Sequence, residues 1–421
     1  MELGKYSFGI GDRFNHEGVA QLSALINASK HGLDVTPVWN KSNREHNIVH
    51  SEPEDTRIEA DDAVRETGWE KDYFVDADHI NLNTVDRFID HSDFFTLDVA
   101  AYIGNASSEE EITAFIESCN ALGDRIFIDG MDEYVVVTEQ LLREVADKYL
   151  AAIKEAGKIY RHIEALKGED NFITEISMDE VEKPQTPIDM LFILKMIADE
   201  KIPAQTIAPK FSGRFNKGVD YVGDTKQFEQ EFEKDVLVID YAVKKFGLPE
   251  SLKLSIHSGS DKFTIYPIMA DIIRKYDKGL HLKTAGTTWL EEVIGLALAG
   301  DKGLDAAKHI YREALLRKNE LCTPYADVID IDDNKLPSPE EVESWDGATF
   351  ADTLRHMPDH PQYNSNFRQL IHVGYKVAAE MGEKYTGLLE KHADIVGRCV
   401  TENIYDRHIK KLFLSVSDLK G

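Results

Sequence analysis

Lys253–Lys262 reads KLSIHSGSDK, and its reading decides the fold. Leu252, Leu254 and Ile256 alternate as a short buried strand, which then runs out into His257-Ser258-Gly259-Ser260-Asp261-Lys262. Packing alone does not call for an imidazole, hydroxyls, a carboxylate and an ammonium on one glycine turn. The same design returns in Leu280-His281-Leu282-Lys283-Thr284-Ala285-Gly286-Thr287-Thr288, again an apolar strand ending in polar groups and a glycine. Two such strands in succession point to a site built on a rim of strand ends.

Working upstream, short apolar runs alternate with helical patterns. Ser7–Arg13, Asp34–Ser42, Asp72–Ile80 and Asp93–Val99 read as strands one to four. Asn105–Gly168 reads as an insertion in the fourth connection. It holds a helix opened by a capping box at Ser107-Ser108-Glu109-Glu110, a short extra strand in Arg125–Gly130 and a long amphipathic helix over Thr138–Leu166. Asn171–Asp179 and Ala204–Ser212 are strands five and six. Thr225–Phe246 is a helix whose Phe228, Phe232, Val236, Ile239, Val243 and Phe246 step by threes and fours, and Gly247 and Pro249 end it. The stretches around His257 and His281 are strands seven and eight, with Thr288-Trp289-Leu290-Glu291 expected to cap the helix after the eighth.

Eight alternations of this length predict a (β/α)8 barrel of the α/β class over residues 1–303, with a doubly wound open sheet as the rival. Residues 304–421 read as a C-terminal helical extension packed on the barrel, broken by the Pro- and Asp-rich Asp327–Pro339.

The 421 residues hold 42% hydrophobic and 29% charged side chains, as ordinary globular proteins do. Against 48 Lys and Arg stand 76 Asp and Glu, a net charge of −28 that excludes nucleic acid and anionic membranes as partners. An anionic substrate needs a pocket whose own cations overcome that field. Cys119, Cys322 and Cys399 are far apart with no CxxC spacing, as free thiols in a reducing compartment. No apolar run approaches the ~18–20 residues of a membrane span, and Met1–Phe14 lacks a signal-peptide core, so a soluble cytoplasmic protein is expected.

In a barrel of this kind the site lies at the C-terminal ends of the strands. Those ends supply Asp12 and Arg13, Lys41, Asp78 and His79, Asp98, Glu175, Lys210, His257, Ser258 and Lys262, then His281 and Lys283. The loop after strand six adds Arg214, Lys217 and Asp220. Histidines and carboxylates converging from separate strands suit a divalent metal such as Zn, Mn, Co or Ni. Asp78 and His79 are adjacent, so in a regular strand they would face opposite ways; both reach the site only if the strand ends there. Glu175, between apolar neighbours, needs a partner or a job, since an unpaired buried carboxylate is costly. Other motifs fail. Gly9-Ile10-Gly11 lacks the third glycine of a dinucleotide fingerprint, Gly213–Gly218 runs into Val219 rather than Lys-Ser/Thr, His16-Glu17 has no second metal histidine, and Gly-x-Ser-x-Gly is absent.

Several longer strings resemble the tagaturonate epimerase family. They are Ser7–Phe14, Ala77-Asp78-His79, Lys217–Asp224, His257–Phe263, Lys283–Thr287 and Asn366–Val373. The resemblance implies a divalent-metal isomerase of hexuronate catabolism that interconverts D-tagaturonate and D-fructuronate. It carries an acid–base pair onto Asp78 and Glu175 and metal ligation onto His79 and His257, with a third ligand at Asp220 or, in competition, His281. Arg13, Lys210, Lys262, His281 and Lys283 are then substrate-binding candidates. Counted from the carboxylate, the inverted centre is C3 and the ketone C5, so simple deprotonation at C3 gains no enolate. Retro-aldol cleavage of C3–C4 and re-addition is the expected route; transient oxidation by a nicotinamide has no fingerprint here. A metal-independent Schiff-base aldolase using Lys210 or Lys283, and a sugar-acid-binding barrel without turnover, stay open. The expected partner is a small hexuronate, and a homo-oligomer is compatible with the sequence.

Overall fold

The computed structural model describes residues 1–284 and 286–414, so Ala285 of the eighth-strand turn and 415–421 of the extension lie outside the described residues. Eight parallel strands close on themselves: β1 Tyr6–Ile10, β2 Thr36–Ser42, β3 Phe74–Ile80, β4 Phe94–Asp98, β5 Ile173–Ser177, β6 Thr206–Ala208, β7 Lys253–His257 and β8 Leu280–Lys283. Closure is explicit in β1, which pairs with β2 through Ser7↔Thr36 and with β8 through Ser7↔His281. The open-sheet rival is thereby excluded.

Alternation along each strand sorts the side chains. Phe8, Ile10, Trp39, Ile176, Ile207, Leu254, Ile256 and Leu282 belong to the main core between barrel and helices. A separate cluster of Leu3, Val38, Phe74, Phe94 and Ile173 packs apart from it. Beyond it, Ser7, Asp76, Thr96, Glu175, His281 and Lys283 are all buried and polar. Gly9 makes that layer possible. A Cβ there would come within 2.7 Å of Lys283 Cγ, so the bare backbone gives the lysine stem its path.

The inserted segment forms as expected, with small shifts. The capping box uses Ser108 and Glu111, one residue later than the reading, and opens the helix Glu109–Ser118. Arg125–Ile126 pairs with Val135–Val136 as a two-stranded antiparallel ribbon, and Thr138 caps the helix Glu139–Lys167. The helix Thr225–Phe246 is capped by Asp224 and ended by Gly247 at φ +71°. One cap does not form. Gly286 precedes the helix Thr287–Ala299, and Thr288 lies inside it, its hydroxyl accepting from Gln21 Nε2 at 2.8 Å.

The C-terminal helices join the barrel through that helix. Thr287–Ala299 packs against Asp301–Leu316, Gly347–Leu354 and Ala393–Glu402, and the last also packs on Gly18–Ser29 beside β1. A buried hub ties them to the β7 turn: Asp261 accepts from Arg368 Nη2 at 2.8 Å, and its oxygens lie 3.1 Å from His408 Nε2 and 3.2 Å from His356 Nδ1. Among the described residues no helix is long and apolar enough to cross a membrane.

Candidate metal centre and cleft

The end of β3 shows how neighbours can share one face. His79 adopts a left-handed backbone at φ +52°, and the β3–β4 register shifts between Ala77 and Ile80. The strand does not end at Asp78, as alternation seemed to require; it bulges and pairs again at Ile80↔Leu97. Asp78 and His79 therefore both line the cleft. A left-handed histidine costs on the order of 1–3 kcal/mol and persists only where its surroundings hold it.

His79 and His257, from β3 and β7, approach to 5.1 Å between ring centroids at 62°. Each ring has one nitrogen held by a deep carboxylate: His79 Nδ1 lies 2.9 Å from Asp78 Oδ1, and His257 Nε2 lies 2.8 Å from Glu175 Oε1. The other nitrogens turn toward Asp179, His79 Nε2 at 3.5 Å and His257 Nδ1 at 3.2 Å. Those two nitrogens are buried and make no hydrogen bond. One ligand atom from each of His79, Asp179 and His257 falls within 4.8 Å of the others. This donor set fits a divalent cation, with each imidazole fixed from behind by a carboxylate.

Beneath the histidines lies a charged floor. Lys283 Nζ is 2.7 Å from Asp76 Oδ2, 3.0 Å from Asp78 Oδ1 and 2.8 Å from Glu175 Oε1, and it donates to Thr96 Oγ1 at 2.6 Å. Burial would lower the Lys283 pKa, but Asp76, Asp78 and Glu175 raise it well above the ordinary lysine value. A cationic lysine is no Schiff-base nucleophile, which needs the neutral amine. Burial likewise works against Glu175, whose pKa is nevertheless held well below the carboxylate range by Lys283 and His257.

Above this floor the cleft opens as two adjoining lobes of about 700 and 250 Å³, which share Arg44, Asp78, His79, Glu180, Lys217, Gly259 and Tyr325. Asn40 of β2 lines the larger lobe with a buried carboxamide that lacks any partner. A further cavity of about 380 Å³ lies around Leu3, Lys5, Lys253 and Gly279, at the strands' N-terminal ends and away from the histidines.

The structure distributes the expected residues unevenly. Asp78, His79, Lys210, His257 and Lys283 line the larger lobe, and Arg13 lines the smaller. Glu175 lines neither; it is fully buried, with Oε2 taken by Thr206 at 2.7 Å. Asp220 is not with the histidines: it accepts from Thr264 and from the Tyr221 N–H, and Asp179 stands where the third ligand was expected. Lys262 is buried away from the cleft, donating to the carbonyls of Asn216 at 3.0 Å and Val219 at 2.8 Å. His281 packs on Phe94 inside the barrel, its Nδ1 2.8 Å from Ser7 Oγ, and burial lowers its pKa to about 3. Reading the sequence missed Asp179, Asn40, Arg44, Tyr325 and His372. Asp179 had a signal, because Glu175, Ser177 and Asp179 share the inward parity of the fifth strand.

Residues 1–412 match the family model described as tagaturonate epimerase. The chain belongs to that family. The epimerase is 29% identical over 422 aligned positions to the tagaturonate/fructuronate epimerase of Thermotoga maritima, covering 96% of this chain and 80% of that one. Among solved structures, it is similar to the fructuronate-tagaturonate epimerase of Cohnella laeviribosi. The form complexed with two glycerols gives a TM-score of 0.78 at 22% identity, covering 99% of this chain and 83% of that one. The native form gives 0.76 at 22% identity over 98% and 82%. The protein is thus an enzyme of the isomerase class built on a closed parallel barrel with a helical C-terminal extension.

Proposed function

We propose that this enzyme interconverts D-tagaturonate and D-fructuronate with the help of a divalent cation, by retro-aldol cleavage and re-addition. The observation that carries the reading is the pair of buried imidazole nitrogens on His79 and His257 that make no hydrogen bond of ordinary geometry yet both turn to the Asp179 carboxylate, in a chain of this family. Those three residues would hold the ion. Bound there, a divalent cation supplies Lewis-acid polarisation of the C5 ketone and the C4 hydroxyl.

The chain's own groups do the rest. Asp78, which lines both lobes beside the histidines, takes the C3 hydroxyl proton in this reading; His79 and Lys283 hold its pKa well below the ordinary value against burial, so it rests ionised and with an open site for a proton, though as a weak base. When that proton leaves, C3–C4 breaks, its electron pair passes to the enediolate over C4 and C5, and C3 becomes an aldehyde. Rotation of the aldehyde fragment and re-addition with return of the proton inverts C3. Glu175, expected as the second acid–base group, is one layer deeper and acts through His257, whose ring it orients. Asn40 is placed to hydrogen-bond a substrate hydroxyl.

Incubating the protein with D-tagaturonate tests this. Fructuronate is expected to form, to stop forming after chelation, and to return on adding Zn, Mn, Ni or Co. Full turnover by metal-free protein would remove the cation. Labelled three-carbon aldehyde added during turnover is expected to enter product, whereas hydride transfer to a nicotinamide would remove the cleavage route.

A further inference from the structure

The smaller lobe of the cleft gathers Arg13, Arg44 and Lys217 on walls that also carry Glu45, Asp78, Asp98 and Glu180. Arg13, from the turn after β1, lays its guanidinium over the Tyr375 ring at 4.4 Å; Arg44, after β2, lies over the Tyr325 ring at 5.1 Å. The two tyrosine hydroxyls are 2.9 Å apart, so both arginines rest on one coupled aromatic pair supplied by the C-terminal helices. Lys217, after β6, crosses the bend at Gly259, where φ is +65° and a Cβ would lie 3.3 Å from Lys217 Cδ and 3.4 Å from Nζ. Its backbone N–H is tied to the Val328 carbonyl at 2.7 Å. Among the described residues neither Lys217 nor Arg44 has an ion pair, while Arg13 meets Glu45 at 3.3 Å.

His372 completes the lobe. It is buried, its Nε2 has no hydrogen-bond partner, and it occupies the space left by Gly286, where a Cβ would come within 2.0 Å of that nitrogen. Burial, together with Arg13, Lys217 and Arg368, keeps the ring neutral by lowering its pKa well below the ordinary value. Arg44 and Lys217 feel the charges of Glu180 and Glu45 without pairing to either, so their N–H donors are still able to take an anion.

We propose that this lobe is the carboxylate end of the cleft, with Lys217 and Arg44 taking the carboxylate of a sugar acid and His372 Nε2 bonding the hydroxyl next to it. Arg13, held by Glu45 and Tyr375, fixes the lobe's inner wall. The substrate then lies across both lobes with its ketone toward His79, Asp179 and His257. Tyr325 and Tyr375 are positioning residues that aim the arginines. The assignment rests on the hexuronate reading above but has a separate test.

Calorimetric titration of the metal-loaded enzyme with D-tagaturonate and with D-tagatose, the neutral ketose of matching chain length, reads it directly. Wild type is expected to prefer the acid, and Lys217→Met and Arg44→Met each to cut that preference about ten- to a hundredfold, the scale of one charge-assisted hydrogen bond. Affinity for tagatose stays the same, and Lys217→Arg keeps most of the preference. Arg44 is exposed at the cleft mouth, so its variant carries the test even if Lys217→Met fails to fold. Tyr325→Phe, which keeps the ring but breaks the hydroxyl pair, is expected to erode the preference less than either. A preference unchanged in both methionine variants, or no preference in wild type, overturns the proposal. Preference without turnover of tagaturonate would instead strike the epimerase reading and leave this one standing.

Discussion

Two groups of carboxylates, one under the cleft and one beside β1, have opposite fates. Around the candidate metal centre, Asp78, Glu175 and Asp179 all meet cationic or imidazole partners, and their pKa values fall well below the ordinary range despite burial. Asp76, in the same group, is the exception: burial pushes it up to about 7, although Lys283 pulls the other way. Beside β1 and the helix that follows it, Glu17, Glu59 and Glu292 are also buried, and the opposing charges near them, Lys41 for Glu59 and Arg13 for Glu292, are too few to offset that burial. Burial raises Glu59 and Glu292 well above the ordinary value and Glu17 to about 8. Asp12 escapes, because Lys41, Glu59 and the N–H groups of Phe14, Asn15, His16 and Glu17 serve its charged form. The same residue type is kept ionised in one place and protonated in the other. What decides is the count of cations and donors within reach, and the ionised group is the one placed to support a cation and chemistry.

The sharpest way to break the contrast is to remove Asp179, the carboxylate both imidazoles share. Asp179→Ala is expected to lose bound metal, read by elemental analysis, and to cut turnover by about 10³-fold or more, the equivalent of several kcal/mol of charge stabilisation. Metal and activity at wild-type level would discard the centre. Lys283→Met attacks the compensation itself. Three carboxylates would be left around an apolar chain, at a cost of about 3–5 kcal/mol, seen as a lower urea midpoint at neutral pH. Glu175→Gln separates orientation from proton transfer. A group that acts through His257 is expected to lower metal affinity about 10–100-fold, with kcat largely restored at saturating metal; kcat still depressed there would return Glu175 to direct acid–base work.

The barrel was legible in the sequence because its strands announce themselves by alternation and their ends by polar residues and glycine. That His79 and His257 would stand in one cleft was legible for the same reason. What a strand end does not disclose is direction. His257 turns into the cleft, whereas His281, on the neighbouring stave, lies inside the barrel beside Ser7. Lys262 and Asp261 follow the same turn as His257 yet leave the cleft, the first for backbone carbonyls and the second for Arg368 and His408 of the C-terminal helices. Partners more than a hundred residues distant cannot be seen from local pattern. The bulge at His79 was also hidden, because histidine gives no hint of a left-handed backbone. Asp179 was visible by parity with Glu175, but only the packing of β3 against β7 across the barrel mouth reveals that both histidines turn to it.

The smallest expected effect probes the uncompensated group. Glu17 has a folded pKa of about 8 against an ordinary value of 4.5, raised by burial first and by Asp12 second. With the folded value the higher one, its contribution is complete below pH 4.5, where both states are protonated. From pH 4.5 to about 8 the unfolded chain gives up the proton that the folded chain keeps, so stability falls with rising pH through that window and levels off above it. Glu17→Gln supplies a permanently neutral side chain of the same shape. The variant should match wild type at pH 5 and exceed it at pH 8, by roughly 1–2 kcal/mol once relaxation and water entry have softened the burial cost. Urea midpoints at the two pH values read the difference. An equal offset at both would mean that packing rather than charge governs the site, and the contrast between the two carboxylate groups would then reduce to geometry alone.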